Sequence, residues 1–136
     1  LFDFMLQNSD IVTFHSYENR VSTNKAVQAL ELLGRPLICT EYVARGHDST
    51  FESVLPLFAE KDIGAIHWGF VSGKTQTIYP WRSWVSIIRF WDGLFSDEPN
   101  PWHHDLLYEN GSAYSLSEVE FIRTQISSKT RDNTTE

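Results

Sequence analysis

The sequence predicts an α/β fold in which parallel strands are joined by helical crossovers. Three observations predict it. Short apolar runs rich in β-branched and aromatic residues alternate with helix-period segments, in the order strand, helix, strand, helix, strand. The runs are apolar on both faces and bounded by Gly and Pro, the pattern of strands covered by helices on either side. Their C-terminal ends, at His15, Glu41 and Trp68, recur at intervals of 26 and 27 residues. An even period of that length suits a barrel or an open doubly wound sheet.

The first strand is the run Ile11-Val12-Thr13-Phe14-His15. Residues 16–24 are polar and read as a loop that ends in helix-capping residues. Residues 25–33 follow a helical period, with Ala26, Ala29, Leu30 and Leu33 on one face and Gly34 placed to close the helix in a left-handed conformation. After Arg35-Pro36 comes the second strand, Leu37-Ile38-Cys39-Thr40, closing on Glu41-Tyr42. A polar loop at 45–50 leads to a helical segment at 51–59, which Pro56 is expected to kink or delay. Gly64-Ala65-Ile66-His67-Trp68 is the third strand. From Val71 to Asn110 the rhythm stops, and Gly73, Pro80, Gly93, Pro99 and Pro101 punctuate an aromatic excursion that contains Trp81, Trp84, Trp91 and Trp102. Within it Trp84, Ile87, Ile88 and Trp91 are helically spaced. A last helix is expected at 115–126. There Ser115 with Glu118, or Ser117 with Glu120, makes a capping box, and Val119, Ile122 and Ile126 share a face. Residues 127–136 are polar and read as a disordered tail.

A chain of 136 residues with 41% hydrophobic and 21% charged residues can build the core of one domain. Its formal charge of −7 would repel a phosphate backbone, and no basic run relieves it locally, so nucleic-acid binding is not expected. No apolar stretch approaches the roughly 18 residues of a membrane span. Cys39 is the only cysteine, which excludes an intrachain disulfide and a multi-cysteine zinc site. Aromatic residues reach 14%, enough for either a rigid core or a flat ligand surface. The chain starts at a leucine, so a longer natural N-terminus is expected.

Each strand ends in a residue capable of chemistry, at the edge where parallel α/β architectures bind their ligands. Glu41 follows a wholly apolar strand, so its carboxylate sits at the mouth of a hydrophobic core. It reads either as a structural glutamate paired with Arg45 or as a carboxylate whose ionisation is set by a few partners. His15 reads as a core histidine or, with Tyr17 on the same face, as half of a pair that orients a carboxylate. Trp68 reads as core or as a flat support for a sugar face. Lys74, Gln76, Trp81 and Trp84 are weaker candidates for ligand contacts, with packing or solvated surface the better reading. His103-His104-Asp105 could suggest a metal, but adjacent histidines seldom share one, and neither a metal nor any other cofactor is assigned. No Gly-rich phosphate fingerprint follows any strand. Asn110-Gly111-Ser112 and Asn133-Thr134-Thr135 match a glycosylation triplet that arises often by chance.

The run Arg35-Pro36-Leu37-Ile38-Cys39-Thr40-Glu41-Tyr42 resembles the seventh strand of clan A retaining glycoside hydrolases, close to the family 5 cellulase and xylanase type. His15-Ser16-Tyr17 resembles the His-x-Tyr closing the sixth strand, and Ile66-His67-Trp68-Gly69 the end of the eighth. The resemblance implies that residues 1–126 are the C-terminal part, about strands 6–8, of a (β/α)8 barrel of about 250 residues. It implies Glu41 as nucleophile, Tyr17 touching it, His15 lining the sugar site and Trp68 as the floor of that subsite; Lys74, from the excursion, is kept as a candidate substrate contact outside the matched motifs. The family's acid/base glutamate follows an asparagine on the fourth strand. No Asn-Glu dipeptide occurs here, Glu18-Asn19 and Glu109-Asn110 having the reverse order. The expectation is therefore a fragment, inactive alone, whose partners are a carbohydrate substrate and the missing N-terminal part of the barrel. An open barrel edge should leave apolar strand surface exposed and the piece poorly soluble or partner-dependent. The polymeric substrates of the family imply a secreted or periplasmic location. The alternatives are a non-catalytic carbohydrate-binding protein or inactive barrel remnant. A lyase or aldolase would call for a lysine or metal cluster that the three strand ends lack.

Overall fold

The computed structural model describes residues 2–74, 77–81 and 98–132. Its elements are α1 (Phe2–Asn8), β1 (Val12–His15), α2 (Arg20–Glu31), β2 (Leu37–Glu41), a 3-10 turn (Arg45–His47), α3 (Phe51–Glu60), β3 (Gly64–Ala65) and α4 (Leu116–Asp132). The strands form one parallel sheet in the order β1-β2-β3, alternating with helices, as the sequence predicts. Among the described residues this sheet is open, with β1 and β3 at its edges. The helically spaced Trp84–Trp91 segment and Gln76 lie outside the described residues.

Helix α2 starts at Arg20, five residues before the expected start. Asn19 caps it, its side chain accepting from the Ser22 N–H at 3.0 Å. Ser22, Thr23 and Asn24 are indifferent helix formers, but Thr23 is fully buried and its hydroxyl meets Ser16 Oγ at 2.7 Å, so tertiary contacts override propensity. The inward stripe is accordingly Thr23 and Val27, both buried, with Leu30 half-buried beside them and Ala26 and Ala29 exposed. Val27 has more apolar area to remove from water than either alanine, and the helix turns that face inward. The helix ends at Glu31 with Leu32 as its C-cap, two residues before the expected end at Leu33, and Gly34 follows in the turn at φ +63°. Helix α3 begins at Phe51 behind a reciprocal Thr50–Ser53 capping box. Pro56 therefore falls inside the helix, where it cannot donate the bond that the Glu52 carbonyl would otherwise receive.

Val12, Leu37 and Cys39 lie on the helix-covered face of the sheet and form a core with Val27, Val54, Phe58, Tyr42 and Phe51. Phe14 joins it through an edge-to-face contact with Phe58 at 6.2 Å. Parallel sheets are normally covered on both faces. Here the second face carries Ile11 and Ile66 at 47% and 58% exposure, and Trp68 follows Ile66 in alternation at 41%. That face is left uncovered among the described residues.

Helix α4 packs against α3 and holds Val119, Phe121 and Ile122 on the core, whereas Ile126 is exposed. It runs to Asp132, past the expected end at Ile126. Only half of the Ser115–Glu118 capping box forms: the Glu118 N–H donates to Ser115 Oγ at 3.3 Å. The Glu118 carboxylate is committed to Arg45, whose Nε and Nη2 donate to its two oxygens at 2.8 and 2.6 Å. Arg45 Nη1 also donates to the Trp102 carbonyl at 3.1 Å, and both side chains are buried. Arg45 is thus not the partner of Glu41. Replacing Glu118 by Ala should cost about 3–5 kcal/mol, because it leaves a guanidinium buried without its counter-charge. Urea denaturation of the two proteins measures the difference.

Candidate functional site

Strand β2 contains one residue more than either neighbour at its C-terminal end. Against β1 the register runs Phe14↔Cys39 and then His15↔Glu41, so Thr40 is the extra residue of a β-bulge. The same extra residue shows on the β3 side. There the Ile66 N–H donates to the Cys39 carbonyl (2.9 Å), and the Trp68 N–H donates to the Tyr42 carbonyl (3.0 Å). Regular strand geometry is therefore confined to Gly64–Ala65 on that side, although the pairing continues to Trp68.

The bulge decides where Glu41 points. Strict alternation from Leu37 and Cys39 would put Glu41 on the helix-covered face. One extra residue moves it to the other face, beside His15. Three bonds brace the turn: the Ser16 N–H to the Glu41 carbonyl (3.0 Å), Thr40 Oγ1 to the Phe14 carbonyl (3.3 Å) and Cys39 Sγ to the Glu41 carbonyl (3.2 Å). Burial pushes the Cys39 thiol up to about 11, so it remains the protonated donor.

On the carboxylate itself two side chains converge. Tyr17 donates its hydroxyl to Glu41 Oε2 at 2.7 Å, and His15 Nδ1 lies 3.1 Å from the same oxygen. The Tyr17 hydroxyl is held above its ordinary range, first by burial and then by the hydrogen bond to Glu41, so it stays a donor. The Glu41 side chain is a quarter exposed and that of His15 about half, which removes the core reading of His15. Trp68 is likewise not a core residue, with 41% of its surface exposed on the segment paired to Tyr42. Lys74 is exposed and shares no hydrogen bond or ion pair with Glu41 among the described residues.

Behind Tyr17 stands a wall of rings that the sequence reading treated as packing or as a doubtful metal pair. Trp81 is perpendicular to Tyr17 at 5.0 Å, to His47 at 5.0 Å and to His103 at 4.9 Å. His104 lies 5.5 Å from Tyr17 and bonds the Val43 carbonyl through Nδ1, an acceptor that fixes Nδ1 as the protonated nitrogen. Val43 itself is fully buried with φ +74°, a strained conformation for a β-branched residue. His104 reaches this wall because Gly69 leaves room: a Cβ there would stand 2.7 Å from Asp105 Oδ1 and 2.8 Å from His104 Cβ. Asp105 is fully buried and accepts from Thr77 Oγ1 through both oxygens. No group of three or more His, Cys, Asp or Glu side chains among the described residues is placed to hold a metal ion. No described helix is long and apolar enough to cross a membrane.

The sequence thus located His15, Tyr17 and Glu41 at one edge, and the structure joins the three through a single carboxylate oxygen. It missed the wall of Trp81, His103 and His104, which lies 64 or more residues downstream of Tyr17. The one available signal was the density of aromatic residues in the irregular excursion.

Burial, then the neighbouring His104 and His47, lowers His103 to about 4 from an ordinary 6.5. The fold holds the neutral ring, so this contribution to stability is complete above about pH 6.5 and is lost as the pH falls towards 4. His103→Gln should flatten that part of the acid limb, measured as thermal midpoints of both proteins across the same interval. Comparison of the chain with protein-family models, with curated proteins and with solved structures found no match.

Proposed function

We propose that this chain supplies the nucleophile-bearing strands, about the sixth to the eighth, of a (β/α)8 glycoside hydrolase that cleaves β-linked glycans with retention. The observation that supports this reading most is the convergence of Tyr17 and His15 on one oxygen of Glu41 at the C-terminal edge of a parallel sheet. Both contacts fall on Oε2, which leaves Oε1 for the anomeric carbon. A hydroxyl donor and an imidazole hold the carboxylate in one rotamer, and orientation of that kind lowers the barrier to attack.

In the reaction, Glu41 Oε1 bonds to the anomeric carbon while the glycosidic C–O bond breaks. An acid/base carboxylate from the remainder of the barrel protonates the departing oxygen. The same group then deprotonates a water that attacks the anomeric carbon, the ester bond to Glu41 breaks, and two inversions restore the starting configuration. The two carboxyl groups should stand about 5–5.5 Å apart in the assembled barrel. Trp68, exposed two residues beyond Ile66 on the uncovered face, is the surface on which a sugar ring would stack. The remaining strands would pair with the open edges at β1 and β3 and close the barrel over the uncovered face, and a polymeric glycan substrate would imply a secreted or periplasmic setting.

In the full-length enzyme Glu41→Gln should lower turnover by several orders of magnitude while thermal stability and glycan binding persist. Incubating the wild type with aryl 2-deoxy-2-fluoro-β-glycosides of glucose and xylose should leave a fluoroglycosyl ester on the Glu41 peptide, read by mass spectrometry. Near-normal hydrolysis by the variant, or a label on another carboxylate, sinks the assignment. Glycan binding without hydrolysis in the wild type would favour the carbohydrate-binding alternative.

A further inference from the structure

Asn110 is the only asparagine in the chain that precedes a glycine. It stands at the tip of a tight turn whose stem is the Leu107↔Ala113 bridge, and residues 110–112 are all exposed. The turn is closed by the Tyr108 N–H to the Ser112 carbonyl (2.8 Å) and by the Gly111 N–H to the Tyr108 carbonyl (2.9 Å). Gly111 has φ +83° and open space where a Cβ would be. The side-chain amide is not idle. Its Oδ1 accepts from the Ser112 N–H at 2.9 Å and from the Ser112 hydroxyl at 2.7 Å.

We propose that Asn110 is a site of spontaneous deamidation, promoted by Ser112 acting as a built-in pair of donors to the reacting amide. The backbone nitrogen of Gly111, once it releases its proton to a water or buffer base, attacks Asn110 Cγ. Negative charge develops on Oδ1, the atom that both Ser112 donors already hold, which is the arrangement that stabilises tetrahedral oxyanions. The Cγ–Nδ2 bond then breaks, and the nitrogen leaves as ammonia with a proton from solvent. Water opens the resulting succinimide at either carbonyl, giving aspartate or isoaspartate, so the net change is gain of water and loss of ammonia, without oxidation or reduction. The attack requires the Gly111 N–H to leave the Tyr108 carbonyl, an opening confined to an exposed turn. The absence of a Cβ on Gly111 leaves the nitrogen unhindered.

The other described asparagines lack this combination. Asn100 precedes Pro101, whose nitrogen bears no hydrogen, Asn19 is a helix cap, and Asn8 and Asn24 lie within helices. The product would matter locally. Asn110 lines an open cleft of about 540 Å³ together with Tyr79, Trp102, Tyr108, Glu98 and Glu109. Deamidation adds a third carboxylate to that wall, and the isoaspartate product also lengthens the turn backbone by one carbon.

The test is incubation of the full chain at mildly alkaline pH, with peptide mapping for the amide-to-acid mass increment and enzymatic methylation of isoaspartate. Asn110 should convert faster than Asn8, Asn19 and Asn24. Ser112→Ala should slow conversion about three- to ten-fold in the folded protein, the kinetic equivalent of one hydrogen bond. In concentrated urea, where the turn is lost, the two chains should convert at the same rate. A folded chain in which Asn110 reacts no faster than the other three overturns the proposal. So does a Ser112→Ala chain that reacts as fast as or faster than wild type, or one slowed equally in urea.

Discussion

The buried pair of Arg45 with Glu118 joins parts of the chain that share no strand. Arg45 lies just beyond β2, Glu118 in the first turn of α4, and the same guanidinium takes the Trp102 carbonyl. Its Cζ also lies 5.2 Å from the Tyr114 ring and 5.9 Å from that of Phe51. A buried ion pair gains little over an apolar substitute, but separating the partners leaves a charge in the core. Arrangements that move α4 or residues 102–105 away from the sheet edge are thereby penalised. The aromatic wall around Trp81 stands where it does because that edge is closed in this way.

At the same edge, the bulge at Thr40 does for one side chain what the ion pair does for whole segments. A regular parallel ladder alternates its side chains, and one inserted residue reverses the phase of those that follow, turning Tyr42 into the core as it turns Glu41 out of it. Glu41 is thereby set beside His15, and Tyr17, two residues further on, reaches the same oxygen. The interactions that brace it use backbone carbonyls as acceptors, so the turn is held by groups already in place rather than by long, mobile side chains. Strain is stored next to it at Val43, whose carbonyl is claimed by His104.

Much of the fold is legible in local pattern. The apolar runs that become β1 and β2, the left-handed glycine in the turn after α2 and the serine that caps α4 each express a preference acting over a few residues. The errors share a cause. Ser22, Thr23 and Asn24 are indifferent helix formers yet helical, because the Thr23 hydroxyl finds Ser16 and its side chain is buried. Glu118 abandons half of its capping box because Arg45 is a stronger partner. In both cases a contact made outside the helix outweighs a local preference worth about 1 kcal/mol or less.

The sequence by itself determined the parallel α/β order and the chemistry-bearing residues at the strand ends, since hydrophobic period and side-chain type are written position by position. Which face Glu41 occupies, which of its neighbours touch it, and that Arg45 is engaged elsewhere were decided only by the tertiary structure. A register shift of one residue, or a partner 73 positions away, leaves no trace in the periodicity of the chain. Those choices are made by the packing of the whole edge.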